Sequence, residues 1–210
     1  MDATRRAALL VGIVSGLAYL ILAVLAFSQH FFDLDHATVA LMSSLRDPRL
    51  KSLMEALTGL GSGWALIPLS LATFLWLRHR GHPIAKFVPL MVLGAYVIFA
   101  LSKWIVSRPR PRMSGYGFPS AHTFGSVVFF GGLIYLLWTS GLGRASRWTG
   151  TIVLVLLIVG IAFSRLYLRS HWLSDVVGGV AGGTAYLVFF LLAVDRRPRP
   201  SGRSATTSAP

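Results

Sequence analysis

An all-α fold that crosses a membrane six times is what this sequence predicts, and three observations carry the prediction. The 210 residues are 54% hydrophobic and only 13% charged, well below the ~25% charge of an ordinary soluble domain. Six stretches hold no Asp, Glu, Lys or Arg: 7–32, 56–77, 87–102, 113–143, 148–164 and 176–194. A helix needs about 20 residues to cross the hydrocarbon core. All six tryptophans (Trp64, Trp76, Trp104, Trp138, Trp148 and Trp172) fall within a few residues of a span end, where an aromatic belt meets the headgroups.

Trimmed and extended to turn signals, the stretches become helices over about 8–27, 60–77, 84–106, 119–138, 148–165 and 172–194. The first is too long for a secretory signal and has no clear small-residue cleavage site before His30. Between the first two spans, Leu41, Met42, Leu45, Leu50, Leu53, Met54 and Leu57 recur at helical spacing, interrupted at Asp47-Pro48. That pattern predicts two short amphipathic helices, either lying in the interface or capping the bundle. Gly178, Gly179, Gly182 and Gly183 predict close packing of the last span. Residues 1–195 form one membrane domain, and the Arg-, Pro- and Ser-rich stretch 196–210 is expected to be a disordered tail.

The net charge of +13 does not point to nucleic acid. Most of the basic residues sit in short segments between apolar runs, where they set topology and meet anionic lipid. With the N-terminus inside, inner segments carry eleven of the twenty Lys and Arg residues and outer segments nine. This bias predicts a multi-pass protein of a bacterial-type cytoplasmic membrane with both termini in the cytoplasm. There is no cysteine, which excludes disulfides and thiolate metal sites.

Ionisable groups at membrane depth are costly and default to functional roles. Three places in the map carry them, all on the same predicted outer side. Lys103 and Arg110-Pro111 end the third span; Pro119-Ser120-Ala121-His122 opens the fourth; Ser164-Arg165 ends the fifth, followed by His171 and Asp175 at the start of the sixth. Lys103, Arg110 and Arg165 are suited to cradling a phosphoryl group, arginine through two donors at once. Pro119 fits a first helical turn, which would leave the N–H groups of Ser120, Ala121 and His122 facing an anion. Four residues apart, His171 and Asp175 share one helical face, so the carboxylate can fix the imidazole tautomer. His122 is then a second histidine free to protonate a leaving oxygen. Residue chemistry alone leaves open which histidine attacks, although the Asp175 partner favours His171.

Lys103-x6-Arg110-Pro111, Pro119-Ser120-Ala121-His122 and Ser164-Arg165-x5-His171-x3-Asp175 together resemble the three-part signature of the type 2 phosphatidic acid phosphatase (PAP2) superfamily, in its integral-membrane lipid phosphatase branch. One position departs from the pattern: Ala121 stands where the second block usually has glycine, which keeps the backbone N–H but adds a methyl group. The resemblance implies a metal-independent, cofactor-free lipid phosphatase. In it His171 attacks phosphorus, Asp175 orients His171, and His122 protonates the leaving group and then activates water. Lys103, Arg110, Ser120, Ala121 and Arg165 would hold the phosphoryl oxygens. The lipid candidates are undecaprenyl diphosphate, phosphatidylglycerol phosphate, phosphatidic acid and lipid A phosphates. With seven acidic residues in the chain and only Asp175 among the motif residues, a carboxylate-held Mg²⁺ site is not expected. Beyond the lipid phosphate and the surrounding membrane, no protein partner can be inferred. Six spans argue against a soluble haloperoxidase sharing these blocks, and an intact His-Asp pair argues against a non-catalytic lipid-phosphate transporter. A phosphotransferase passing phosphate to a second lipid stays open.

Overall fold

A computed structural model describes residues 3–112 and 114–194. It has eight helices in the order α1 Ala3–Phe27, α2 Asp33–Ser44, α3 Pro48–Leu60, α4 Gly63–His79, α5 Phe87–Val106, α6 Ala121–Thr139, α7 Arg144–Tyr167 and α8 Leu173–Val194. The expected tail 196–210 lies outside the described residues.

Five of these helices are long and apolar enough to cross a membrane on their own: α1, α5, α6, α7 and α8. The sixth expected span is broken. At 17 residues, α4 is about 26 Å long at 1.5 Å per residue. It passes as a span only when joined to α3, across a 45° bend. Gly61 and Ser62 make the break, so α4 starts at Gly63 rather than at residue 60. A Cβ at Gly61 would lie 2.5 Å from Ile161 and 2.9 Å from Ser126, so the chain turns where it presses on the bundle. The other helices agree with the sequence to within a turn or so.

The break at Asp47-Pro48 is where the sequence placed it. Asp47 caps α3 by accepting from the Leu50 N–H at 2.8 Å, and Pro48 takes the first turn, where a missing N–H costs nothing. Of the two readings for this connector, the capping one describes its inner face. Met42 and Met54 are buried against Tyr167 at the end of α7. The Tyr167 hydroxyl donates to the Leu45 carbonyl at 3.0 Å and accepts from the Asp47 N–H at 3.1 Å. Leu34, Leu41 and Leu53 remain exposed on the outer face.

The bundle is organised around α6, where every residue from Thr123 to Phe130 is buried. Phe124 and Val128 pack on Met91, Ala95 and Phe99 of α5 and Leu187 of α8, while Phe129 and Phe130 pack on Leu66, Val92 and Ile161. Helices in lipid gain little from hiding apolar surface, so close approach decides the packing. The glycines of α8 supply it: a Cβ at Gly182 would lie 2.6 Å from Tyr19 and 2.7 Å from Phe124. In α1 only Gly12 and Ala26 are buried, as suits a helix that mainly faces lipid.

Candidate active site

The three sequence blocks meet at one end of the bundle, the end that α2 and α3 cap. Lys103 is in the last turn of α5, which Ser107 terminates in a left-handed conformation at φ 49°. The chain then folds back through a bridge between Pro109 and Tyr116, tightened by a 2.6 Å bond from the Gly117 N–H to the Arg108 carbonyl. This fold-back fixes two of the cations. Lys103 Nζ donates to the Tyr116 carbonyl at 2.8 Å and to that of Gly117 at 3.0 Å, and Arg110 Nε donates to Tyr116 at 3.0 Å. Arg165, in the last turn of α7, is 6% exposed. Its Nη1 donates to Thr58 Oγ1 at 2.5 Å, and its buried Nε has no partner.

His171 sits in the short turn before α8 and is 2% exposed. Its Nδ1 lies 3.3 Å from Asp175 Oδ2. Burial, followed by the charges of Lys103, Arg165 and Arg110, holds the imidazole well below its ordinary value of 6.5; a hydrogen bond to the Gly117 backbone opposes this only in part. The ring is therefore neutral near pH 7. With Nδ1–H donating to Asp175, the Nε2 lone pair is left for chemistry. Asp175 Oδ2 also accepts from the Trp172 N–H at 3.1 Å, so one carboxylate caps α8 and orients the histidine. His122, in the first turn of α6, lies within electrostatic reach of Arg165, His171, Arg110 and Lys103.

The depressed His171 pKa has a stability consequence. Below about pH 6.5 an unfolded imidazole takes up a proton while the folded one does not, so the unfolded state gains protons and stability falls as pH drops. The unfolding temperature in detergent should decline from pH 7.5 to 5.5, and His171→Gln should flatten that decline. An identical slope in the variant would place the proton uptake elsewhere.

Around Ser120 the structure departs from the sequence expectation. The helix begins at Ala121, leaving Pro119 outside it and Ser120 as its cap residue. The Ser120 N–H is already committed, donating to the Asp175 carbonyl at 2.9 Å, and its hydroxyl accepts from Thr123 at 3.0 Å. Ser120 thus ties α6 to α8. The helix-start N–H groups left for an anion come from Ala121 onward.

A buried network missing from the sequence reading stands behind Asp175. Arg108 Nη1 donates to Asp175 Oδ1 at 3.1 Å and to Ser174 Oγ at 2.7 Å, while Nη2 donates to Asp35 Oδ2 at 2.9 Å and to the His30 carbonyl at 2.9 Å. Asp35 also accepts from the Ser174 N–H and hydroxyl, both at 2.8 Å. The guanidinium lies 4.4 Å from the Phe31 ring centre and 5.9 Å from that of Trp172. Trp172, assigned to the aromatic belt, in addition donates to the Pro109 carbonyl at 2.8 Å. Arg108 is a positioning residue: it neutralises two carboxylates and fixes the rotamer of the one facing His171. The sequence did hold a signal, since Asp35 is one of only seven acids in the chain. Asp35→Asn should lower turnover by roughly 10–100-fold, the usual size for a group acting through a ligand's partner, with KM nearly unchanged. A change in KM alone would mean that the network only shapes the binding surface.

Among the described residues, no three His, Asp or Glu side chains come together as a metal-binding group. Gly117 lies against the Asp175 carboxylate, where a Cβ would stand 2.6 Å from Oδ2. A cleft of about 480 Å³, lined by Trp64, Ile67, Pro68, Tyr96 and Phe99, reaches the site at Ala121 and His122.

Comparison with known proteins agrees with this geometry. The PAP2 superfamily model matches residues 113–199, a segment holding the second and third blocks. Phosphatidylglycerophosphatase B of Bacillus subtilis is 27% identical over 186 residues, covering 84% of this chain and 90% of that protein. A putative undecaprenyl-diphosphatase, YbjG, of Escherichia coli is 31% identical over 131 residues, covering 56% and 61% of the two chains. The crystal structure of a transmembrane PAP2-type phosphatidylglycerolphosphate phosphatase from Bacillus subtilis superposes with a TM-score of 0.79 at 22% identity, covering 90% of this chain and 98% of that one. That structure shares the fold, and the stretch that resembles the PAP2 superfamily carries Ser120, His122, Arg165, His171 and Asp175, while Lys103 and Arg110 precede it.

Proposed function

We propose that the chain hydrolyses the phosphate ester or diphosphate of a membrane lipid in two steps, through a phosphohistidine on His171. The observation that carries the reading is the buried His171–Asp175 pair, within electrostatic reach of Lys103, Arg110 and Arg165, beside an apolar cleft whose lining includes Ala121 and His122. In the first step Nε2 of neutral His171 attacks phosphorus, a P–N bond forms and the P–O bond to the lipid breaks. His122, in the cleft lining, acts as the imidazolium, which the negative charge of the bound phosphate favours, and gives one proton to the departing oxygen to become neutral. In the second step His122 takes a proton from water, the hydroxide attacks phosphorus, and the P–N bond breaks to release phosphate and His171. The three cations and the first N–H groups of α6 balance the charge on the phosphoryl oxygens throughout.

The cleft suits the tail of a lipid. Trp64 at its mouth is 94% exposed and Ile67 is exposed beside it, so a chain can enter from the bilayer without crossing water. The relatives' names favour phosphatidylglycerol phosphate and undecaprenyl diphosphate over phosphatidic acid as substrates. The positive-charge bias of the loops supports a site on the outer membrane face. Both carboxylates near the site are held by Arg108, so the phosphoryl charge falls to side-chain cations, and no step needs a metal. Purified protein in detergent should release phosphate from these lipids equally well with excess EDTA, and orthovanadate should inhibit it. Activity lost to EDTA and restored by Mg²⁺ would overturn this mechanism.

A further inference from the structure

Beside the catalytic centre lies a second cavity, of about 820 Å³, between α3, the end of α7 and the loop after Arg110. Arg165 lines it and also lies within electrostatic reach of His122 and His171, so one guanidinium is shared by the cavity and the catalytic centre. The charged groups around the cavity are Arg46, Lys51, Arg112, Arg165 and Arg169, with Asp47 and Glu55. The two carboxylates are occupied: Glu55 pairs with Lys51 at 3.5 Å, and Asp47 caps α3. Among the described residues no carboxylate pairs with Arg46, Arg112 or Arg169, although the three are close enough that Arg112 and Arg46 act on Arg169. Desolvation first, and then those two like charges, depress the Arg169 pKa. The left-handed backbone of Arg169, φ 51°, aims its side chain inward, where Nη1 meets Ser43 Oγ at 3.1 Å. The Nε groups of Arg169 and of the nine-tenths-buried Arg165 have no acceptor.

Three guanidiniums without a carboxylate ion-pair partner among the described residues, five cations against two carboxylates in the wall, and two buried donors without acceptors mark a place suited to an anion. We propose that this cavity is a second phosphate subsite, built by Arg46, Arg112 and Arg169 and joined to the catalytic one through Arg165. The assignment of its source rests on the lipid phosphatase reading. The phosphate is either a second phosphoryl group carried by the substrate or the inorganic phosphate just released, on its way to water. None of the three arginines belongs to the signature blocks.

Arg46 and Arg112 are exposed, so the double variant Arg46→Gln/Arg112→Gln should fold. Inorganic phosphate titrated calorimetrically into the full chain in detergent at low salt should fill two sites in the wild type and one in the double variant. Equal counts in the two forms overturn the subsite, and this reading involves no turnover. Kinetics then identify the source. A KM about tenfold higher for a lipid diphosphate, with that for a lipid monophosphate unchanged, assigns the subsite to the substrate's second phosphoryl. An inhibition constant for inorganic phosphate about tenfold higher, with both KM values unchanged, assigns it to the product. No change in any of these constants overturns the proposal. Wild-type protein that hydrolyses no lipid phosphate would sink the phosphatase reading and leave the phosphate count to judge the subsite alone.

Discussion

His171→Ala should lose essentially all turnover, by at least about 10⁴-fold, because no other side chain is placed to replace Nε2. The loss should be the same for every substrate, since a missing nucleophile does not depend on the leaving group. Binding should survive: Lys103, Arg110 and Arg165 are held by the Tyr116 and Gly117 carbonyls and by Thr58, not by the imidazole. Retained binding of inorganic phosphate alongside lost turnover is therefore the expected pair of results. A variant that still turns over lipid phosphate at a tenth of the normal rate would remove His171 from the reaction path.

His122→Ala should separate substrates by leaving group. General acid–base help is typically worth about 10²–10⁴-fold, and a lipid alkoxide needs that proton in the first step. Departing p-nitrophenolate does not, so phosphorylation of His171 by p-nitrophenyl phosphate should continue, followed by slow dephosphorylation. A burst of p-nitrophenol equal to the enzyme present, then a slow phase, is the kinetic signature to measure. Equal losses on both substrates without a burst would mean that His122 serves mainly to bind. The place of His122 in the lining of the apolar cleft favours the leaving-group role, because a lipid tail held there brings its phosphate-bound oxygen to His122.

The parts of this molecule that were legible in its sequence share a physical cause. Lipid tolerates no charge without a reason, so charge-free stretches gave α1, α5, α6, α7 and α8, and the charges left at depth gave Lys103, His122, Arg165 and Asp175. Asp47-Pro48 was legible because a cap followed by proline encodes a helix start locally. What escaped depends on contacts through space. Arg108 and Asp35 are 73 residues apart, and nothing local reveals that they neutralise one another. In the sequence the Ser120 N–H reads as free, because its acceptor, the Asp175 carbonyl, comes from another helix. Gly61-Ser62 does not read as a break because both residues fit an apolar span, and the close approach of Ile161 and Ser126 to Gly61 comes from distant helices.

The central claim is the covalent bond to His171. Full-length protein in detergent, mixed briefly with ³²P-labelled lipid phosphate and quenched in alkali, should carry label that acid removes, as a phosphohistidine does. Wild type should show it, His122→Ala treated with p-nitrophenyl [³²P]phosphate should accumulate more of it, and His171→Ala should show none. Label that persists in His171→Ala and disappears in His122→Ala would reverse the two roles and contradict the account.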